Sequence, residues 1–160
     1  MILGNSCFFI ASLLVALMAG LFFSFSIAVT RGLKKLDDKC YLQAMQRINK
    51  AILNPVFLWC FIGAPLFLIG TTFIRFLEDH SRFMWMLVIS LVYMGGVFMV
   101  TMLCNVPLNN YLEQQDMDQL DPEAARAVRF RFEAPWNRYN HVRTLFAALA
   151  FGMMLYIGIF

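Results

Sequence analysis

Long apolar runs are the feature that most constrains how this chain can fold. Residues 6–30 contain no Asp, Glu, Lys or Arg, and about 20 apolar residues suffice to cross a bilayer. Further apolar runs follow at about 55–76, 83–104 and 142–160. Only 14% of the residues are charged, whereas soluble domains carry about 25%. The sequence therefore predicts an all-α fold, a bundle of four transmembrane helices that forms a single membrane domain over residues 1–160.

The first and third links between these runs are predicted to contain additional helical segments. Residues 31–50 are charged and carry loosely periodic apolar side chains, which fits an amphipathic helix on the membrane surface or an extension of the first span. In the third link, Asp121-Pro122-Glu123 is typical of a helix start, because Asp caps a helix and Pro suits its first turn. This short helix is predicted to end near Pro135, before the fourth span.

The distribution of basic residues predicts the orientation. The first link holds six Lys and Arg residues and the third link, counted to the start of the fourth span, holds five, whereas the second link holds two. The positive-inside rule then places the first and third links in the cytoplasm and both termini outside. We expect an integral protein of the bacterial inner membrane, in contact with the lipid bilayer. A nucleic-acid partner is not indicated, because the net charge is only +3 and the basic residues flank apolar runs.

This topology gathers polar residues at the predicted cytoplasmic end. Asn54 precedes the second span, and Asn105 and Asn109 follow the third, four residues apart on one helix face. Asn140 and His141 stand at the start of the fourth span. Because the third and fourth spans are expected to be antiparallel neighbours, we expect Asn105 or Asn109 to lie within about one side-chain contact of Asn140 or His141.

The residues at this end resemble a known family. Asn105-Val-Pro-Leu-Asn-Asn110, followed about thirty residues later by Trp136 and Asn140-His-Val-Arg-Thr144, is similar to the motifs of the anthrone oxygenase-like family of small four-span membrane proteins. Ile48-Asn-Lys-Ala-Ile-Leu-Asn-Pro55 is similar to the family's entry to the second span, and Phe22-Phe-Ser-Phe-Ser26 to its first span. The resemblance covers nearly the whole chain.

The resemblance implies that an anthrone-type phenolic, a hydrophobic aromatic small molecule, is oxidised to a quinone. O₂ would be the co-substrate, and no metal or other cofactor is expected. This chemistry needs a base whose pKa is near neutral and donors for a developing oxyanion. His141 is the candidate base, and Arg143 is the second candidate catalytic residue. The candidate substrate-binding residues are Asn54, Asn105, Asn109, Trp136 and Asn140.

A structural interpretation stands beside the enzymatic one. Asn side chains often bridge membrane helices, through hydrogen bonds worth about 0.6 kcal/mol on average. Arg143 can snorkel to the interface, and Trp136 can belong to an interfacial aromatic belt. Two functions therefore stay open: a small-molecule enzyme, or a non-catalytic subunit or stabiliser of a membrane complex whose polar end is structural. The sequence also leaves open whether the chain forms a homo-oligomer.

Overall fold

The computed structural model describes residues 2–159, and within that range it contains five helices and no strand. Four of the helices are long and apolar enough to cross a membrane. The predicted all-α fold with four membrane-length helices is therefore confirmed. Met1, and Phe160 at the predicted end of the fourth span, lie outside the described residues. The helices are α1 (Ile2–Leu33), α2 (Asp38–Ile52), α3 (Pro55–Glu78), α4 (His80–Glu113) and α5 (Pro122–Ile159).

The four long helices surround an apolar core. Helix α1 contacts α3 and α5, and α4 also contacts α3 and α5, so the helices follow one another around the bundle in chain order. Met18, Leu68, Ile89 and Met154, one from each helix, are almost completely buried in this core. In lipid, van der Waals packing rather than exclusion of water holds such side chains together.

Helix α2 packs across the end of the bundle where α1 ends and α5 begins, which we call the polar end. It starts after Asp37, whose side chain accepts a hydrogen bond from the Cys40 backbone N–H at 2.9 Å. Its buried face, which includes Tyr41 and Met45, packs against Phe132 and Trp136 of α5 in a second apolar cluster. This packing anchors the first link on the start of α5.

The predicted helix end near Pro135 is wrong, because α5 runs without interruption from Pro122 to Ile159. The predicted start is confirmed, since Asp121 Oδ1 accepts a hydrogen bond from the Ala124 N–H at 2.8 Å. A proline inside a helix costs about 3 kcal/mol. Here Phe132 and Trp136, on either side of Pro135, are both buried in the cluster with α2, and this packing favours a continuous helix.

Helix α4 also extends beyond the predicted limit at residue 104, to Glu113. Two π-helical segments, Met94–Met99 and Thr101–Asn105, precede Pro107 within it. The ring of a proline clashes with the carbonyl four residues earlier in a regular α-helix, and the wider π turn relieves that constraint. Thr101 and Asn105 are buried, so this part of α4 turns polar side chains toward the interior. Such π turns are frequent at functional sites.

Gly96 sets how closely α4 and α5 approach. A methyl group at this position would overlap the Cβ atom and ring carbons of Phe146. Gly96→Ala should therefore lower the thermal unfolding temperature in detergent, because overpacking costs about 1–3 kcal/mol. Gly95→Ala is the matched control, since nothing lies within 4 Å of its added Cβ. Equal unfolding temperatures for the two variants would contradict this packing.

The orientation stays a prediction, which Cys40 can test because it is exposed at the start of α2. A hydrogen bond to the Asp37 carboxylate raises the pKa of the Cys40 thiol. Since the thiolate is the reactive form, labelling should be done at mildly alkaline pH. We expect a membrane-impermeant maleimide to label Cys40 only in permeabilised cells, and Cys40→Ser to remove that signal. Labelling of Cys40 in intact cells would contradict the orientation.

Candidate functional site

A cavity of about 530 Å³ lies at the polar end, between the four long helices and the end of α2. Its size is that of a small-molecule site, which typically measures about 300–1,000 Å³. Phe57 and Phe61 of α3 are both in the lining, and their rings stack on each other with centroids 5.6 Å apart and planes 10° apart. Five of the lining residues are aromatic: Phe22, Phe25, Phe57, Phe61 and Trp136.

The cavity wall between α3 and α4 reaches the outer surface of the bundle. Leu58 and Ile62 of α3 and Met102 of α4 line the cavity and are each 43–44% exposed. These apolar side chains belong to helices of membrane-spanning length. This part of the cavity lining is therefore apolar and accessible.

Polar groups mark the mouth of the cavity beside α2. Lys50 Nζ and Glu113 Oε1, both on lining residues, form an ion pair at 2.7 Å. Asn49, also in the lining, has a buried side-chain nitrogen without a hydrogen-bond partner. The charges of Lys50 and Glu113 offset each other, so the mouth carries no net charge.

Arg143 is the buried charge in the cavity wall, with only 6% of its surface exposed. Its Nη2 donates to Asn140 Oδ1 at 2.9 Å, and its Nη1 donates to Thr101 Oγ1 at 3.3 Å. The guanidinium carbon lies 4.4 Å from the centroid of the Phe22 ring and 5.6 Å from that of Trp136. Its Nε has no hydrogen-bond partner, and no carboxylate among residues 2–159 pairs with it.

Asn140 joins Arg143 to helix α1. Its Nδ2 donates to the Phe22 carbonyl at 3.1 Å and to Ser26 Oγ at 2.8 Å, while its Oδ1 accepts from Arg143. Ser26 is itself buried in the π-helical segment Phe25–Val29. This chain of hydrogen bonds holds the guanidinium in one place. Ser26 belongs to a stretch that the sequence resemblance includes, but its hydrogen bond to Asn140 is visible only in the structure. Thr101 has no sequence signal.

The two sequence motifs meet at Trp136. Its indole Nε1 donates to Asn109 Oδ1 at 2.8 Å, and its backbone carbonyl accepts from Asn105 Nδ2 at 3.3 Å. The two motifs are thus joined through Trp136, while no hydrogen bond among residues 2–159 links Asn105 or Asn109 directly to Asn140 or His141. Trp136, Asn109 and Asn140 line the cavity, whereas Asn105 is buried behind the wall.

Two further candidate residues do not line the cavity. His141 is exposed, and its Nδ1 lies 3.1 Å from Ser26 Oγ. Asn54 caps α3, since its Oδ1 accepts from the Phe57 N–H and its Nδ2 donates to the Ala51 carbonyl, both at 3.0 Å. The catalytic role of His141 and the substrate-binding role of Asn54 stay predictions that this geometry does not favour.

The helical period explains why Arg143 faces the cavity and His141 does not. Trp136, Asn140 and Arg143 follow each other at spacings of four and three residues, which places them on one face of α5. Each residue turns an α-helix by about 100°, so His141 lies beside this face, where its ring reaches Ser26 Oγ but does not line the cavity. The inward face of α5 is therefore the face that carries Arg143.

Comparison with known proteins relates this site to a family. Residues 41–153 match the model of the family described as Anthrone oxygenase. The match covers more than half of the chain and includes Trp136, Asn140 and Arg143, whereas Ser26 lies before it. No curated protein and no solved structure matches the chain. The chain belongs to the anthrone oxygenase family.

Proposed function

We propose that this chain is a membrane oxygenase that converts an anthrone-type phenolic into a quinone, with O₂ as co-substrate and without a metal. The observation that carries the proposal is the largely apolar cavity of about 530 Å³, with five aromatic side chains and the buried cation Arg143 in its wall. Family membership supports the reaction class. The apolar wall between α3 and α4 suits a substrate that partitions into the bilayer.

The proposed reaction oxidises one methylene carbon of the substrate by four electrons. Loss of a proton from that carbon gives an electron-rich enolate, and O₂ forms a new C–O bond there. Protonation yields a hydroperoxide. Loss of the second methylene proton with cleavage of the O–O bond leaves a carbonyl group and releases water. One anthrone and one O₂ thus give one anthraquinone and one water.

The cavity residues have distinct roles in this proposal. Arg143 stabilises the negative charge that develops on the substrate oxygen, the kind of electrostatic contribution that is largest in a site shielded from water. Asn140 is a positioning residue, because it holds the guanidinium through its own bonds to α1. The Trp136 and phenylalanine rings hold the flat substrate by offset stacking and edge contacts.

Oxygen consumption tests the proposal. The purified protein in lipid nanodiscs should consume one O₂ per quinone formed from anthrone, at least about tenfold faster than empty nanodiscs. Empty nanodiscs are the necessary control, because anthrones also react with O₂ without an enzyme. Equal rates with and without protein, over a panel of anthrones and quinols, would refute the proposal.

A structural role is the second candidate function, and one observation favours it. Asn140 is 1% exposed, and all the hydrogen bonds of its side chain are made with α1 and Arg143. A buried polar network of this kind can fix helix positions in a subunit of a larger complex. In that case Asn140→Leu would destabilise the bundle, and the wild-type chain would show no turnover.

A further inference from the structure

The positive charge of Arg143 in the cavity wall is not balanced by a negative charge of the described residues. Three titratable side chains line the described cavity: Lys50, Glu113 and Arg143. Lys50 and Glu113 neutralise each other through their ion pair at 2.7 Å. Arginine stays protonated in proteins, and burying an unpaired charge is costly.

Neighbouring groups compensate this charge only in part. The rings of Phe22 and Trp136 supply cation–π attraction. Asn140 and Thr101 each accept one hydrogen bond, but both are neutral acceptors. The Nε hydrogen has no acceptor in residues 2–159. The site is therefore built around a cation that lacks an anionic partner.

We propose that the cavity binds its ligand as an aryl oxyanion, a phenolate or enolate, with Arg143 as the counter-ion. This rests on the proposed function for the aromatic nature of the ligand, but not for its oxidation. The five aromatic side chains in the lining favour an aromatic body over a flexible acyl chain, because ring–ring contacts add to the burial of apolar surface. An apolar site with a single cation suits a ligand that is hydrophobic everywhere except at one oxygen.

With an aryl oxyanion as the ligand, Arg143 rather than a protein base promotes ionisation of the substrate. A cation close to an ionisable oxygen favours its charged form, as arginine does for a neighbouring carboxyl group. Arg143 would thus make the bound anthrone a stronger acid, and its enolate would form without a strong base in the wall. The exposed mouth at Lys50 and Glu113 provides a route by which the released proton reaches water.

The test uses a hydroxyanthraquinone dye, whose absorbance changes when its phenol ionises, and the O-methylated dye as a neutral control. Both are titrated in nanodiscs of neutral phosphatidylcholine, with and without the protein. The phenol should ionise about one to three pH units lower when bound to the protein. Arg143→Met should abolish this shift and weaken dye binding at least tenfold, while binding of the O-methylated dye should change little.

Arg138→Met is the matched control, because Arg138 is exposed on the same helix and does not line the cavity. It removes the same charge and should leave the shift intact. Arg143→Gln serves as a second variant if Arg143→Met does not fold, since it removes the charge but keeps a polar group near Asn140. The inference would be overturned if the phenol of the dye ionised at the same pH with and without the wild-type protein. It would also be overturned if the shift to lower pH persisted in both Arg143 variants.

The same experiment separates aryl oxyanions from lipid anions and from the oxidation itself. Oleate and an anionic phospholipid are added as competitors, and tighter binding of either than of the dye would overturn the aryl assignment. If the phenol of the bound dye ionised at lower pH but the protein consumed no O₂ with anthrone, the inference would be retained and the oxygenase proposal refuted. If the Arg143→Met protein oxidised anthrone as fast as the wild type, the oxygenase proposal would be retained and the inference about Arg143 would be refuted.

Discussion

Arg143→Met is expected to lower the turnover of anthrone by about 100- to 1,000-fold, the loss seen when a single donor to a developing oxyanion is removed. The guanidinium is fixed by Asn140 and Thr101 and faces the cavity at 6% exposure. It can therefore stabilise substrate charge without first reorganising. The rate of O₂ consumption at saturating anthrone measures the effect.

Arg143→Met should affect the unfolding temperature much less than it affects turnover. Methionine removes a costly unpaired charge but also the donor to the buried Asn140 Oδ1, so the two effects oppose each other and the unfolding temperature should change little. Arg138→Met, on the exposed face of α5, should keep both turnover and stability. A loss of activity that merely parallels a loss of folded protein would indicate a structural role for Arg143.

His141→Ala decides between two assignments of the proton transfer. A general base in the reaction would contribute about 100- to 10,000-fold. The exposed imidazole, bonded to Ser26 rather than directed at the cavity, predicts a change of less than about tenfold. A larger loss of turnover in a folded His141→Ala protein would restore His141 as the base.

Val106→Trp is expected to raise the dissociation constant of a bound anthraquinone at least about 30-fold, or about 2 kcal/mol. Val106 lines the cavity on α4 between Met102 and Asn109, so an indole there occupies space that the ligand needs. Quenching of tryptophan fluorescence or equilibrium dialysis of the dye measures binding.

Leu103→Trp is the control for Val106→Trp. Leu103 is three residues earlier on α4, is 65% exposed and does not line the cavity. The same large ring at this position should face lipid and leave binding unchanged. If Val106→Trp folds and binds the dye as the wild type does, the ligand does not occupy this cavity.

Much of the fold could be predicted because the bilayer leaves a chain few choices. A segment of about 20 apolar residues must satisfy its own backbone hydrogen bonds in lipid, so it becomes a helix. The four runs therefore identified the four long helices. The helix ends were predicted less well: α5 continues through Pro135, and α4 continues past residue 104 to Glu113. Phe132 and Trp136 keep α5 continuous through tertiary contacts that no local pattern records.

The sequence by itself determined that polar residues from distant segments converge at one end of a membrane bundle, because link lengths and helix direction follow from the apolar runs. Tertiary structure alone decided which of these residues face the cavity. Arg143 and His141 are two residues apart, a rotation of about 200° around the helix, so one is buried and the other exposed. That rotation depends on how Trp136, Asn140 and Ala147 pack against neighbouring helices, and the packing exists only in the assembled fold.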